Sequence, residues 1–388
     1  MVVNSKIVLL NGNVILENEI VSKNVYICNG KIVEISSRKP NDETYFIDAK
    51  GMYVSPGFID VHTHGRGGCD TMYDNYEDLN TITKYAVKSG TTSFLPTTIT
   101  MPVEDIKKAV ENVAINMDKV EGAKILGVHI EGPFFCEKYK GAQPSEFMIP
   151  PSIENFGAIV GRHIDIVKKI SLAPELDGSK RLIEFLINQG IIVSMAHTNA
   201  TYDEAKKVID MGVNSGTHTF NAMSPLNHRN PGVVGAVLEN DDVYAELILD
   251  GVLVSYPAAR ILLKAKGVDK LVLITDSLEA AGLGDGEFKL ANHALFVNDG
   301  VATLSDGTLA GSVLGMNDAV RNAIENLPVT MCEAVKMASK TPAESIGLKN
   351  TGQIKEGFQA DIVLFDEDIN VKMTMVDGVV KYSENFEI

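Results

Sequence analysis

Gly57-Phe58-Ile59-Asp60-Val61-His62-Thr63-His64 is a short apolar run that ends in two histidines. Three more runs share that plan: Ile125-Leu126-Gly127-Val128-His129-Ile130-Glu131, Ile191-Ile192-Val193-Ser194-Met195-Ala196-His197, and Leu271-Val272-Leu273-Ile274-Thr275-Asp276. A shorter one precedes His218. Strands buried on both faces of a parallel sheet read as continuous apolar runs. When eight of them close into a barrel, the chemistry sits at their C-terminal ends. Four histidines and two carboxylates gathered on one rim make a site for one or two divalent metal ions.

Outward from these runs, the spacing predicts strands over 57–62, 92–96, 125–131, 168–174, 191–197, 214–218, 244–250 and 270–276. Helical stretches separate most of them, among them 102–117, 178–189 and 200–211. This alternation implies an α/β protein with a TIM-like (β/α)8 barrel, placed over residues 56–349. The stretch from Lys6 to about Phe46 reads as all-β, with Asn11-Gly12 and Asn29-Gly30 as hairpin cues. The tail has the same character, with a strand over Asp361–Phe365 and a turn at Asp377-Gly378. Neither end carries enough strands to stand alone. Residues 1–55 and 350–388 are therefore expected to form one small β-sandwich, with the barrel inserted between them. The Gly-rich stretch Ala281–Gly286 follows the last barrel strand and reads as an insertion over the barrel mouth.

The chain has 388 residues, 45% of them hydrophobic, enough for a large core. Its formal charge of −16 argues against a general nucleic-acid or anionic-membrane partner. A local arginine or helix N-terminus still suits an anionic small molecule. Cys28, Cys69, Cys136 and Cys332 are scattered and form no CxxC pair, which fits neither a disulfide framework nor a zinc ribbon. The residues from Met1 to Lys6 show no leader-like pattern, and no apolar run approaches the roughly 18 residues of a membrane helix. A cytoplasmic location is expected.

In a strand, residues two apart face one way, so His62 and His64 both point into the mouth. Imidazoles bind zinc, iron, nickel and copper alike, so the ligands do not name the metal. His129 shares the parity of Glu131 and reads as a supporting core histidine. His163, His228 and His293 stand at no strand end and read as surface or loop residues. Asp276 ends the most apolar strand, where a bare carboxylate is costly. It suits a base that deprotonates water and passes the proton to a leaving amine.

Pro56-Gly57-Phe58-Ile59-Asp60-Val61-His62-Thr63-His64-Gly65 resembles the first-strand pattern of the amidohydrolase superfamily, and Gly357–Val363 resembles its closing strand. His129-Ile130-Glu131-Gly132-Pro133-Phe134, Ala196-His197-Thr198, Thr217–Met223, Arg229–Ala236 and Leu309-Ala310-Gly311-Ser312 resemble, in order, the family of N-acetylglucosamine-6-phosphate deacetylases. Many superfamily members bridge two metals with a carboxylated lysine after the fourth strand. That strand here ends Leu172-Ala173-Pro174-Glu175, and Glu131 fits the glutamate these deacetylases use instead.

The resemblance implies that Glu131, His197 and His218 hold a principal divalent metal, zinc or iron, and that His62 and His64 help hold a second. It implies Asp276 as the catalytic acid and base. It also implies Asn221, the Ala222 backbone and Arg229 as binders of an amino-sugar phosphate, in a homodimer. An arginine fork matches phosphate geometry. Two positions depart from the pattern: Gln143 and Leu253 stand where the family usually carries histidines, and with Leu309 they belong to the expected substrate pocket. Glutamine donates a hydrogen bond without carrying a proton, and leucine does neither. The alternatives are another N-acyl substrate, such as the galactosamine epimer, or a barrel that binds without turnover. The retained Asp276 speaks against the last.

Overall fold

The structure, a computed structural model, describes residues 6–40 and 45–384. The expectation for Met1–Ser5 and the outermost parts of the 1–55 and 350–388 segments lie outside the described residues.

All eight expected barrel strands form: Phe58–Thr63, Thr91–Pro96, Val128–Glu131, Val167–Leu172, Ile192–Met195, Ser215–Gly216, Tyr244–Ile248 and Leu271–Ile274. Each assigned neighbouring pair runs parallel. The seam between strands two and three is joined by a parallel bridge from Thr97 to His129. The seam between strands eight and one is joined by the Asp276 N–H, which donates to His62 O at 2.9 Å. Asp60 adds a second tie there, accepting from the backbone N–H groups of both His62 and Thr275 at 3.4 and 3.3 Å. The result is a TIM-like barrel.

The expected helices lie at Val103–Asn116, Ser179–Asn188 and Tyr202–Asp210. Thr201 caps the last, bonding to the Glu204 N–H while the Glu204 side chain bonds back. This closes two of the donors a helix start leaves open.

Strands from both ends of the chain form two further sheets. One orders Lys31–Ser36, Asn24–Cys28, Lys6–Leu10 and Tyr45–Asp48. The other orders Val379–Ser383, Val371–Val376, Ile362–Phe365, Tyr53–Pro56, Asn13–Ile15 and Ile20–Ser22. They share an apolar cluster that includes Leu9, Val25, Ile27, Val54, Ile362 and Met375. Phe58, at the start of barrel strand one, stacks on Phe365 with ring centroids 6.2 Å apart, so the sheet that carries Ile362–Phe365 meets the barrel at the end opposite His62 and His64.

Asn29-Gly30 and Asp377-Gly378 close hairpins, each with both central residues at positive φ. Asn11-Gly12 does not. Asn11 is also left-handed, at φ 60°, but Lys6–Leu10 and Asn13–Ile15 belong to different sheets, so this turn hands the chain from one sheet to the other. A two-residue cue fixes a local reversal; the strand that pairs is chosen by which face is buried.

The segment after strand eight is indeed an insertion. It leaves at Ser277 and returns at Ser312, where the two residues form a parallel bridge. Between them lies an antiparallel sheet of Gly286–Leu290, His293–Asn298 and Val301–Leu304.

Candidate functional site

The six strand-end residues converge as the alternation requires, and all are buried. Glu131 is the hub. Its Oε1 lies 3.1 Å from His218 Nε2 and 3.5 Å from the Nε2 atoms of His62 and His197. Its Oε2 lies 3.4 Å from His64 Nε2 and accepts from Gln143 Nε2 at 2.8 Å. Asp276 Oδ1 faces it, 3.3 Å from His62 Nε2 and 3.1 Å from His64 Nε2.

These atoms fall into two groups, His62–His64–Asp276 and Glu131–His197–His218, whose ligand atoms lie within 4.8 Å of one another in each group. His62 Nε2 is wholly buried and makes no hydrogen bond. A buried ring nitrogen that faces two carboxylates without a hydrogen bond suits a cation between them. Neutral imidazoles and carboxylates are also the donor set that divalent zinc or iron takes.

Burial works against the charge on Glu131, but His62 and the hydrogen bonds from His197, His218 and His64 hold its carboxyl well below the ordinary range. Asp276 is likewise buried and is likewise held low by His62 and His64. Both carboxylates therefore stand ionised. His129 belongs to neither group. Burial and the Lys169 charge push it well below the ordinary histidine range, and it bonds to Ser171 Oγ at 2.7 Å and Thr97 Oγ1 at 3.3 Å. It is a neutral supporting residue, as its position suggests. His228 and His293 are exposed and His163 is partly exposed, on none of the rim strands.

The backbone at the rim is unusual. His197, His218 and Asp276 have φ of 44°, 31° and 48°, a left-handed conformation that non-glycine residues rarely take. Such outliers persist where the surroundings over-determine them, and they cluster at functional sites. Each lies two residues past the end of its strand, beyond Met195, Gly216 and Ile274. Gly311 permits the left-handed conformation at Asp276, since a Cβ there would meet the Asp276 carbonyl oxygen at 2.8 Å.

A cavity of about 150 Å³ opens above these residues. It is lined by His64, Glu131, His197, His218 and Asp276, and by the expected pocket residues Gln143, Asn221, Ala222, Leu253 and Leu309. The insertion closes one side with Leu290. His62 is fully buried and does not reach the cavity surface. Arg229 stands apart, exposed on the loop after Ala222 and outside the cavity wall.

Gln143 is held at both ends, its Oε1 accepting from the Thr100 N–H at 2.9 Å while Nε2 donates to Glu131. Sequence reasoning missed the pair beneath the rim, Lys169 and Glu246, which are 1% and 2% exposed and bonded to each other. Their signal was parity: Lys169 and Ser171 alternate as polar residues on the inner face of strand four.

The amidohydrolase family matches residues 53–381. The chain belongs to that family. It is 37% identical over 365 residues to an N-acetylglucosamine-6-phosphate deacetylase of Lysinibacillus sphaericus, covering 93% of this chain and 94% of the relative. An N-acetylgalactosamine-6-phosphate deacetylase of Escherichia coli O157:H7 is 35% identical over 327 residues, covering 84% and 86%. Among solved structures, the N-acetylglucosamine-6-phosphate deacetylase of Pasteurella multocida superposes with a TM-score of 0.93 at 33% identity, covering 98% of this chain and 100% of that one. Family membership implies a divalent metal, and the two ligand groups fit it. Among the described residues no helix is long and apolar enough to cross a membrane.

Proposed function

We propose that this amidohydrolase hydrolyses the N-acetyl amide of an N-acetylhexosamine 6-phosphate, most directly N-acetylglucosamine 6-phosphate, giving glucosamine 6-phosphate and acetate. The convergence of four histidines on Glu131 opposite Asp276, under a cavity, carries this reading. The names of the relatives supply the substrate class.

Glu131, His197 and His218 hold the principal ion, zinc or iron, and His62, His64 and Asp276 frame a second position. A divalent ion held there would supply Lewis-acid polarisation of the amide carbonyl and would lower the pKa of water. Asp276 takes a proton from the attacking water and delivers it to the leaving nitrogen, so the amine departs neutral. Gln143, fixed on Glu131, keeps its second Nε2 hydrogen for the acyl oxygen. Asn221 and the Ala222 backbone hold the sugar phosphate, and Arg229 adds charge from the exposed loop. The division into terminal β-sandwich segments at 1–55 and 350–388 around a 56–349 barrel, a homodimer and a cytoplasmic location complete the reading.

Leu253 in the cavity wall favours a second substrate, the galactosamine epimer, because a leucine cannot read a hydroxyl. Acetate release from N-acetylglucosamine and N-acetylgalactosamine, each with and without 6-phosphate, alongside metal content, tests both. The expected result is metal-dependent release from a phosphorylated sugar, with a KM rise of at least about tenfold (about 1.4 kcal/mol) in Arg229→Ala for phosphorylated substrates only. Metal-loaded protein that releases acetate from none of the four refutes the proposal.

A further inference from the structure

Glu246, inside barrel strand seven, has no part in the reaction as derived, yet it is 2% exposed and charged. Burying a carboxylate is tolerated only when it is paired. Its Oε1 accepts from the Lys169 ammonium, itself 1% exposed, and its Oε2 lies 3.3 Å from His62 Nδ1. An ionised carboxylate only accepts and an ammonium only donates. With Lys169 on one oxygen, the other is left as an acceptor, so the hydrogen of His62 sits on Nδ1. Nε2, which makes no hydrogen bond, faces Glu131 and Asp276 and is the nitrogen left to ligate a cation there. His129 packs edge-on against the ring at 4.7 Å between centroids and is itself bonded to Ser171 Oγ at 2.7 Å.

We propose that Lys169 and Glu246 form a positioning pair that commits His62 to the Nδ1–H tautomer and so creates the second cation position at His62–His64–Asp276. This rests on the metal reading of the rim. A carboxylate behind a ligating histidine fixes tautomer and ring orientation, and its loss typically costs about 10–100-fold in metal affinity.

Substitution of the pair makes a prediction of opposite signs. In Glu246→Gln, the carboxamide oxygen goes to the Lys169 ammonium, and the amide NH2 faces His62. His62 then accepts at Nδ1 and carries its hydrogen on Nε2, where it cannot bind a cation. In the double variant Lys169→Met/Glu246→Gln the carboxamide is free to turn its oxygen to His62. The single variant should therefore bind zinc at the second position about 10–100-fold more weakly, and the double variant should recover.

Zinc titration followed by elemental analysis reads the affinity. Long-range 1H–15N spectra of the histidines in metal-free protein read the tautomer directly. Wild-type His62 in the Nε2–H form, or Glu246→Gln with unchanged second-site affinity, overturns the proposal. So does a double variant no better than the single one, since a purely structural role gives additive damage. If the wild type binds no zinc at all, the metal reading fails instead, and the wild-type tautomer still decides the pair's role. That measurement also stands alone if Glu246→Gln does not fold.

Discussion

The Glu131–His197–His218 group and the His62–His64–Asp276 group share one rim but are held in place differently. In the first, His197 and His218 are aimed by left-handed backbone, and His197 Nδ1 donates to the Tyr139 carbonyl at 3.0 Å. In the second, both histidines leave one extended strand, and His62 rests on a buried ion pair from strands four and seven. Asp276 of the second group is also aimed by left-handed backbone, so the difference between the groups lies in His62, which side chains from across the barrel hold. A site fixed by backbone tolerates changes in distant side chains; a site fixed by a buried charge pair does not, because removing one partner strands the other.

The largest expected effect separates Asp276 from its own group. Asp276→Asn keeps size and one acceptor but cannot carry the proton. Steady-state kinetics should show kcat down at least ~1,000-fold, at the upper range of acid–base help, while metal at Glu131–His197–His218 remains. Near wild-type kcat with metal bound breaks the assignment.

Next comes the ranking of the two groups. Glu131 touches all four rim histidines, so Glu131→Ala should abolish tight metal binding, whereas His62→Ala should lower the content without abolishing it. Zinc at 100 times its dissociation constant stabilises a protein by about 2.7 kcal/mol. Thermal melts should show such a gain in the wild type and in His62→Ala and none in Glu131→Ala. Equal loss in both variants erases the distinction between the groups.

A smaller effect tests backbone aim. Gly311→Ala puts a methyl against the Asp276 carbonyl at a φ of 46°, a strain of roughly 1–3 kcal/mol. We expect about tenfold lower kcat, at most a few degrees of lost Tm, and unchanged metal at the Glu131 group. Unaltered kcat would show that Asp276 is aimed from elsewhere.

The smallest concerns support far from the ions. Thr201→Ala removes the capping box of the helix after the His197 strand and should cost about 1 kcal/mol by urea unfolding. Metal affinity and kcat should not move, since His197 is aimed by its backbone turn and Tyr139 rather than by that helix.

The strand ends were legible because period-two alternation and apolar runs report burial along one chain segment. They located His62, His64, Glu131, His197, His218 and Asp276 before any contact was known, and they placed His129 as a supporting residue. The Asn11-Gly12 turn was legible as a turn but not as a crossing between sheets, because pairing depends on which faces bury. Arg229 was legible as a phosphate candidate, yet its exposure depends on how the loop after Ala222 leaves the barrel.

By itself the sequence determined the eight-strand order, the residues at each C-terminal end and the chemistry those residues share, all of them local in the chain. Only the tertiary structure decided that Asp276 faces Glu131, that Gln143 is tied to Glu131, and that Lys169 and Glu246 stand behind His62. Those depend on barrel closure, which brings residues 77 apart, as Lys169 and Glu246 are, into one hydrogen bond. No periodicity within a strand records which inward side chain of another strand it will meet.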